Sequence, residues 1–146
     1  MNVLRVNFKM AEGCADLRPH KQHQGDSGFD LKSRQDLLLK AGAFVAVPSG
    51  LFLEMPNHVE AQVRPRSGLA AKLGITVLNT PGTIDASYRG EVQVILINHG
   101  RADYKISRGD RIAQIVFQKL PEIDFVEEAK LGETARGSGG LGSTGV

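Results

Sequence analysis

The run VQVILIN, residues 92–98, sets the architecture: it is apolar, short and flanked by turn residues, and it reads as a buried β-strand. Immediately before it lies GTIDASYRGE (82–91), a bend that places a carboxylate, Asp85, and a tyrosine, Tyr88, at the entrance to that strand. Turn chemistry by itself accounts for this, because Asp and Gly favour turns and an Asp side chain can bond its own backbone. A functional reading of Asp85 therefore needs support from elsewhere in the chain.

Working outward, the pattern repeats. VLRVNF (3–8) and HVEAQVRP (58–65) alternate as half-buried strands do. FVAV (44–47), the turn PSG and LFLEM (51–55) suggest a hairpin-like pair. ITVLN (75–79), DYKIS (103–107), RIAQIVFQKL (111–120) and IDFVEE (123–128) complete the expected strands. Only SGLAAKLG (67–74) looks helical, about two turns closed by Gly74. Many short strands separated by Gly and Pro turns give an all-β expectation: a sandwich, jelly roll or barrel with one short helix.

Composition bounds the rest. A chain of 146 residues fits one domain with a real core. With no Trp, two Tyr and six Phe, that core must be mostly Val, Ile, Leu and Ala. A net charge of +2 gives no field suited to nucleic acid or an anionic membrane. The lone Cys14 cannot form an internal disulfide, and MNVLRVNFKM lacks the apolar run of a signal peptide. The expectation is a soluble, cytoplasmic protein. After Lys130 the composition changes, so residues 1–130 are read as the folded domain and 131–146, LGETARGSGGLGSTGV, as a flexible glycine-rich tail. By itself that tail fits either disorder or a strip of backbone N–H groups that wraps an anion.

The order of residues leaves a Ser-His-Asp triad open, but the sequence offers little toward a metal cluster or a familiar nucleophile motif. His20, His23, His58 and His99 are scattered and there is no Cys pair, which argues against a zinc site. No G-x-S-x-G elbow leads into a helix, no P-loop is present, and RGD (108–110) reads as a turn between strands. What remains is a set of five polar, glycine-bearing segments between strands: GDSGFDLKS (25–33), PRSGLAAKLG (65–74), NTPGTIDASYRGE (79–91), RGDRIAQIVF (108–117) and RGSGGLGSTG (136–145).

In this order and spacing the five segments resemble the five motifs of the trimeric dUTP pyrophosphatases, over most of the chain from about residue 25 onward. The resemblance implies a distorted jelly-roll-like β-barrel, a homotrimer with shared active sites, and Mg²⁺-dependent hydrolysis of dUTP to dUMP and pyrophosphate. It further implies that the bend at 82–91 is a β-hairpin receiving uracil, and that Asp85 is the general base aiming water at the α-phosphorus. Tyr88 would lie along the deoxyribose and exclude a 2′-hydroxyl, while Asn79, Gly82, Thr83, Ile84 and Gln93 match positions lining the pyrimidine pocket. Arg66, Ser67 and Gly68 match the phosphate-binding segment, and the helix start is where an anion is favoured in any case. Gln114 matches the residue near the α-phosphate and the water, and Asp30 the one that holds Mg²⁺ through water. In the tail, Arg136, Ser143 and Thr144 would meet the γ-phosphate. Leu141 departs from the family, which places an aromatic ring there to stack on the base. The related dCTP deaminases have RSSL rather than RSGL and carry a catalytic Glu where this chain has Ile95. No acid occurs from Val92 to Asn98, which disfavours deamination.

Overall fold

A computed structural model describes residues 3–145 of the chain. In chain order its elements are β1 (Asn7–Met10), a 3₁₀ turn (Ala15–Leu17), β2 (Phe29–Lys32), β3 (Leu37–Leu39), β4 (Phe44–Pro48), β5 (Leu51–Glu54), β6 (Val59–Arg64), α1 (Ser67–Leu73), β7 (Ile75–Val77), β8 (Gly82–Ile84), β9 (Gln93–Asn98), β10 (Tyr104–Ile106) and β11 (Arg111–Lys119). All pairings are antiparallel and fall into four small sheets, ordered β1-β5, β10-β3, β2-β11-β6-β8 and β4-β9-β7. This is the all-β, jelly-roll-like arrangement expected, with one short helix.

Period-two side-chain alternation builds the interior. Val59, Ala61 and Val63 of β6 face inward while Glu60, Gln62 and Arg64 do not; Val94 and Leu96 of β9 do the same. The buried cluster is made of Leu, Val, Ile and Ala with one Met and no aromatic ring, as the composition required. Each fully buried Leu, Ile or Val contributes about 1.5–3 kcal/mol relative to exposure. The fully buried polar residue Asn98 closes VQVILIN: its amide donates to the carbonyls of Leu39 (3.1 Å) and Ala102 (2.9 Å), and its carbonyl accepts from Gly100 N–H (2.9 Å). Those bonds offset the cost of burying the amide and tie three segments together.

The helix follows its sequence signals. α1 ends at Gly74, in the left-handed region at φ 67°, whose N–H reaches the carbonyls of Ala70 and Leu69. No residue of α1 is fully buried, so this cap and the His99 N–H bond to the Gly74 carbonyl (2.9 Å) anchor its end.

Three strand expectations need correction. FVAV and LFLEM do not pair: β4 bonds β9, and β5 bonds β1. The turn between them is engaged by a third segment. Ser49 N–H and Oγ both donate to the Val92 carbonyl, Gly50 N–H (φ 75°) donates to the Glu91 carboxylate, and Val92 N–H donates to the Leu51 carbonyl. The chain therefore changes sheets at Ser49–Gly50. IDFVEE forms no strand; the segment lies exposed, with Ile123, Phe125 and Val126 in the open. VLRVNF pairs only from Asn7, and β2, β3 and β8 were not anticipated as strands.

The long loop after β1 covers one face of the barrel. Its Cys14 and Leu17 are buried, and Arg108 clamps it with two bonds to the Asp16 carboxylate (2.6 and 2.9 Å) and one to the Gly13 carbonyl (2.9 Å). Those bonds hold Asp16 down to a pKa of about 2.

Candidate active site

Asp85 follows β8, where Gly82 and Ile84 face the core and Thr83 faces out. The chain then turns, with Tyr88 N–H donating to the Asp85 carbonyl at 3.0 Å. β8 and β9 do not pair with each other; β8 bonds β6, and β9 lies between β4 and β7. The bend is therefore a crossover between two sheets rather than a hydrogen-bonded hairpin, and the divergence opens a cleft of about 260 Å³. Thr83, Ile84, Asp85, Tyr88 and Gln93 line it, with Ala46, Val92 and Ile95. Sequence reasoning does not assign Ala46 or Val92 to the site and singles out Ile95 only as the position of a deaminase acid; Ala46 and Ile95 face each other in the β4–β9 register.

What distinguishes Asp85 from ordinary turn aspartates is that its carboxylate is uncommitted. Asp26 accepts from His23 N–H and Asp110 from Ser107 N–H, each three residues back in its own turn, while Asp103 and Asp36 take the distant backbone donors Ala41 N–H and Arg108 N–H. Among the described residues nothing donates to the Asp85 side chain, which is exposed at the cleft. A turn former would use its oxygens locally; this one leaves them free for a water molecule or ligand.

The exit of the turn is rigid. Glu91 takes Arg34 Nη1 on both carboxylate oxygens (3.1 Å each) and Gly50 N–H at 2.7 Å. The Glu91 bonds raise the pKa of Arg34 above its ordinary value. Tyr88 Oη donates to the Glu91 carbonyl at 2.9 Å, fixing the phenol, and Arg89 folds back onto the carbonyls of Ala86 and Tyr88.

A second cluster forms on the β2-β11-β6-β8 sheet. The Asp30 carboxylate, mostly buried at 13% exposure, lies 3.4 Å from Arg111 Nη1 and 3.9 Å from Arg66 Nε, and accepts from Gln22 Nε2 at 2.8 Å. Arg66 also donates to the Arg111 carbonyl (3.0 Å). Gln114 opposes Asp30 in the β11–β2 register and donates to the Pro65 carbonyl at 3.1 Å. Ser67 and Gly68 begin α1 next to Arg66, exposed and with open space around Gly68. Two guanidiniums around one carboxylate leave excess positive charge, which suits a polyanion. Arg111 and Gln22 were missed by sequence reasoning: neither residue type is distinctive, and only the fold brings them to Asp30.

Among the described residues no group of three or more His, Cys, Asp or Glu could hold a metal directly. A single carboxylate flanked by arginines is a poor direct ligand set. It fits Mg²⁺ that keeps its waters and takes other ligands from a bound phosphate chain.

The two clusters stay apart within one chain. β2 and β8 are opposite edges of their sheet, three strand spacings or about 14 Å from one another. Asn79 lies beside Gly82, its Nδ2 3.4 Å from where a Gly82 Cβ would stand, but outside the cleft lining. Residues 131–145 of the tail join neither cluster. Their hydrogen bonds are local: Arg136 Nε to the Gly139 carbonyl (2.8 Å) and Ser143 N–H to the Gly140 carbonyl (2.8 Å), with Leu141, Ser143 and Thr144 exposed.

The dUTPase family model matches residues 17–145. Among curated relatives, the deoxyuridine 5'-triphosphate nucleotidohydrolase of Rickettsia massiliae (strain Mtu5) is 48% identical, with all of both chains covered. That of Gloeothece citriformis (strain PCC 7424) is 51% identical over 90% of this chain and 91% of its own. In structure, the chain is similar to the Staphylococcus bacteriophage 80alpha dUTPase with dUPNHPP, with a TM-score of 0.88, 21% identity and coverage of 97% and 99%. At that identity the structural likeness concerns the fold.

Proposed function

The chain belongs to the dUTPase family, and on that premise we propose that it is a dUTP diphosphatase acting through the Asp85 cleft. The observation that carries this reading is the uncommitted Asp85 carboxylate beside Tyr88 and Gln93 at the sheet crossover.

In this reading Asp85 accepts the proton of a water molecule attacking the α-phosphorus. The new bond joins the water oxygen to the α-phosphorus, the bond to the α,β-bridging oxygen breaks, and dUMP and pyrophosphate leave. The backbone of Gly82, Thr83 and Ile84 reads the uracil edge, with Asn79 and Gln93 alongside. Cytosine is rejected because its polar groups are mispaired, a stronger basis for discrimination than size. Tyr88 bars a ribose. Arg66, Ser67, Gly68 and Gln114 hold the phosphates; Arg136, Ser143 and Thr144 reach the γ-phosphate, and Leu141 covers the base. Asp30 would hold Mg²⁺ through water, and the ion, when bound, neutralises charge on the triphosphate. Ile95 stands in the cleft where a deaminase would need an acid, which favours hydrolysis over deamination.

Because Asp85 and Asp30 lie on separate parts of one chain and the described residues of the tail reach neither, we infer a homotrimer whose sites combine residues of several copies. Residues 1–130 supply the barrel and 131–146 a mobile closing tail. No helix among the described residues is long and apolar enough to cross a membrane. We further infer a cytoplasmic enzyme that keeps uracil out of DNA and supplies dUMP for thymidylate synthesis. Incubation with dUTP, dCTP, UTP and dTTP in Mg²⁺, with pyrophosphate and ammonia scored separately, tests the reading. Pyrophosphate from dUTP alone is expected. Ammonia from dCTP, or silence with all four, overturns it.

A further inference from the structure

The turn that carries Tyr88 contains a residue whose lack of a side chain has a geometric use. Gly90 is half-buried and its φ lies outside the left-handed region, so a positive φ is not what requires glycine there. A Cβ at Gly90 would nevertheless stand 2.5 Å from Tyr88 Cζ, 2.9 Å from Cε2 and closer still to the hydroxyl. The hydroxyl end of the phenol occupies the space that a side chain at position 90 would fill.

That space is also where the ring is anchored. Tyr88 Oη donates to the carbonyl of Glu91 (2.9 Å), the residue after Gly90, and Glu91 is itself locked by Arg34 and Gly50. The ring is thus held at both ends: by the Asp85–Tyr88 backbone turn (3.0 Å) and by this hydroxyl bond. A ring that excludes one added oxygen on the sugar must be held in this way, since a ring free to swing aside would admit the 2′-hydroxyl.

We propose that Gly90 is a specificity-determining position, which sets the selection of 2′-deoxyribonucleotides over ribonucleotides by leaving the room in which Tyr88 is fixed. Gly90 touches no substrate; it is a positioning residue, and its role rests on the reading that Tyr88 lies along the sugar. Any side chain at 90 forces the phenol out of its seat and breaks the bond to Glu91, while the exposed ring has solvent to move into, so the barrel folds unchanged.

The test is the ratio of kcat/KM for dUTP to that for UTP, measured for the full-length wild type, Gly90→Ala, Tyr88→Ala and the double variant, with folding checked by circular dichroism. Gly90→Ala is expected to lower the ratio by about tenfold or more, and the double variant to equal Tyr88→Ala, because a residue acting only through Tyr88 has nothing left to act on. A role confined to stability would shift the melting temperature and leave the ratio intact. If Tyr88→Ala lowers the ratio and Gly90→Ala does not, the Gly90 proposal fails and the Tyr88 reading stands. A double variant well below Tyr88→Ala means that Gly90 acts by another route and also overturns it. An undiminished ratio in Tyr88→Ala removes the reading of Tyr88, and the proposal with it.

Discussion

Gln114 and Gly28 meet side chain to backbone: a Cβ built on Gly28 would lie 2.6 Å from Gln114 Oε1 and 3.2 Å from its Cβ. The first and fourth glycine-bearing segments are thereby interlocked, and Gln114 is free to donate to Pro65 in the second. Gly28→Ala is expected to displace the Gln114 amide, lower kcat for dUTP to a degree comparable with Gln114→Ala, and cost about 1–3 kcal/mol of stability through overpacking. Steady-state kinetics and denaturant unfolding of both variants check this. Wild-type kcat in Gly28→Ala would show that Gln114 can reach its position by another path.

Asp85→Asn keeps the shape of the turn and removes the base. Because no donor among the described residues depends on that carboxylate, the melting temperature should be unchanged, and a non-hydrolysable dUTP analogue should still bind. Turnover should fall by about 10²–10⁴-fold, the usual scale of a lost general base. Calorimetric binding together with single-turnover kinetics separates the two quantities, and near-normal turnover would remove Asp85 from that role.

The reach of the sequence followed the range of the forces involved. α1 was legible because its glycine stop is a local signal. β6, β9 and β11 were legible because alternation and apolar runs carry their own burial pattern. β2 and β3 were not: FDLK and LLL are strands only because β11 and β10 lie beside them. IDFVEE erred in the opposite direction: its composition is strand-like, yet it pairs with no strand among the described residues and lies exposed. In the site, Asp85, Tyr88, Thr83, Ile84 and Gln93 sit close together in sequence and fall into one cleft. The gap between that cleft and Asp30, and the convergence of Gln22 and Arg111 on Asp30, depend on sheet order, which no segment encodes alone.

The tail offers a gain as well as a loss. Removal of residues 136–146 should leave the barrel folded, since none of the hydrogen bonds made by Arg136, Gly137, Gly139 or Ser143 reaches it. Activity should fall by about 10²-fold, the scale of losing charge-stabilising donors. Leu141, fully exposed in the free chain, is the position to improve. Leu141→Phe should add stacking on the base worth about 1 kcal/mol, which is about fivefold tighter nucleotide binding. Equal affinity for the two would mean that the tail does not cover the base.

The clamp between Arg108 and Asp16 predicts how the fold responds to acid. Arg108 donates twice to Asp16, which lowers the Asp16 pKa from 3.8 to about 2, and the same bonds raise that of Arg108. A carboxylate whose folded pKa is depressed contributes stability that is fully present above its unfolded pKa and is lost as pH falls through the folded one. The contribution should therefore be constant from neutral pH down to about 4 and should fade between about 4 and 2. Asp16→Asn should be less stable than wild type at pH 7, with the difference shrinking across that window until the two denaturation midpoints converge. Both partners are substantially exposed, so the effect is modest and salt should weaken it. The same loop carries Cys14 and Leu17 into the barrel, so release of the clamp should appear first as faster amide exchange over residues 13–17, ahead of global unfolding. A gap between variant and wild type that stays constant down to pH 2 would mean that the ion pair contributes nothing to holding this loop, and that burial of Cys14 and Leu17 alone suffices.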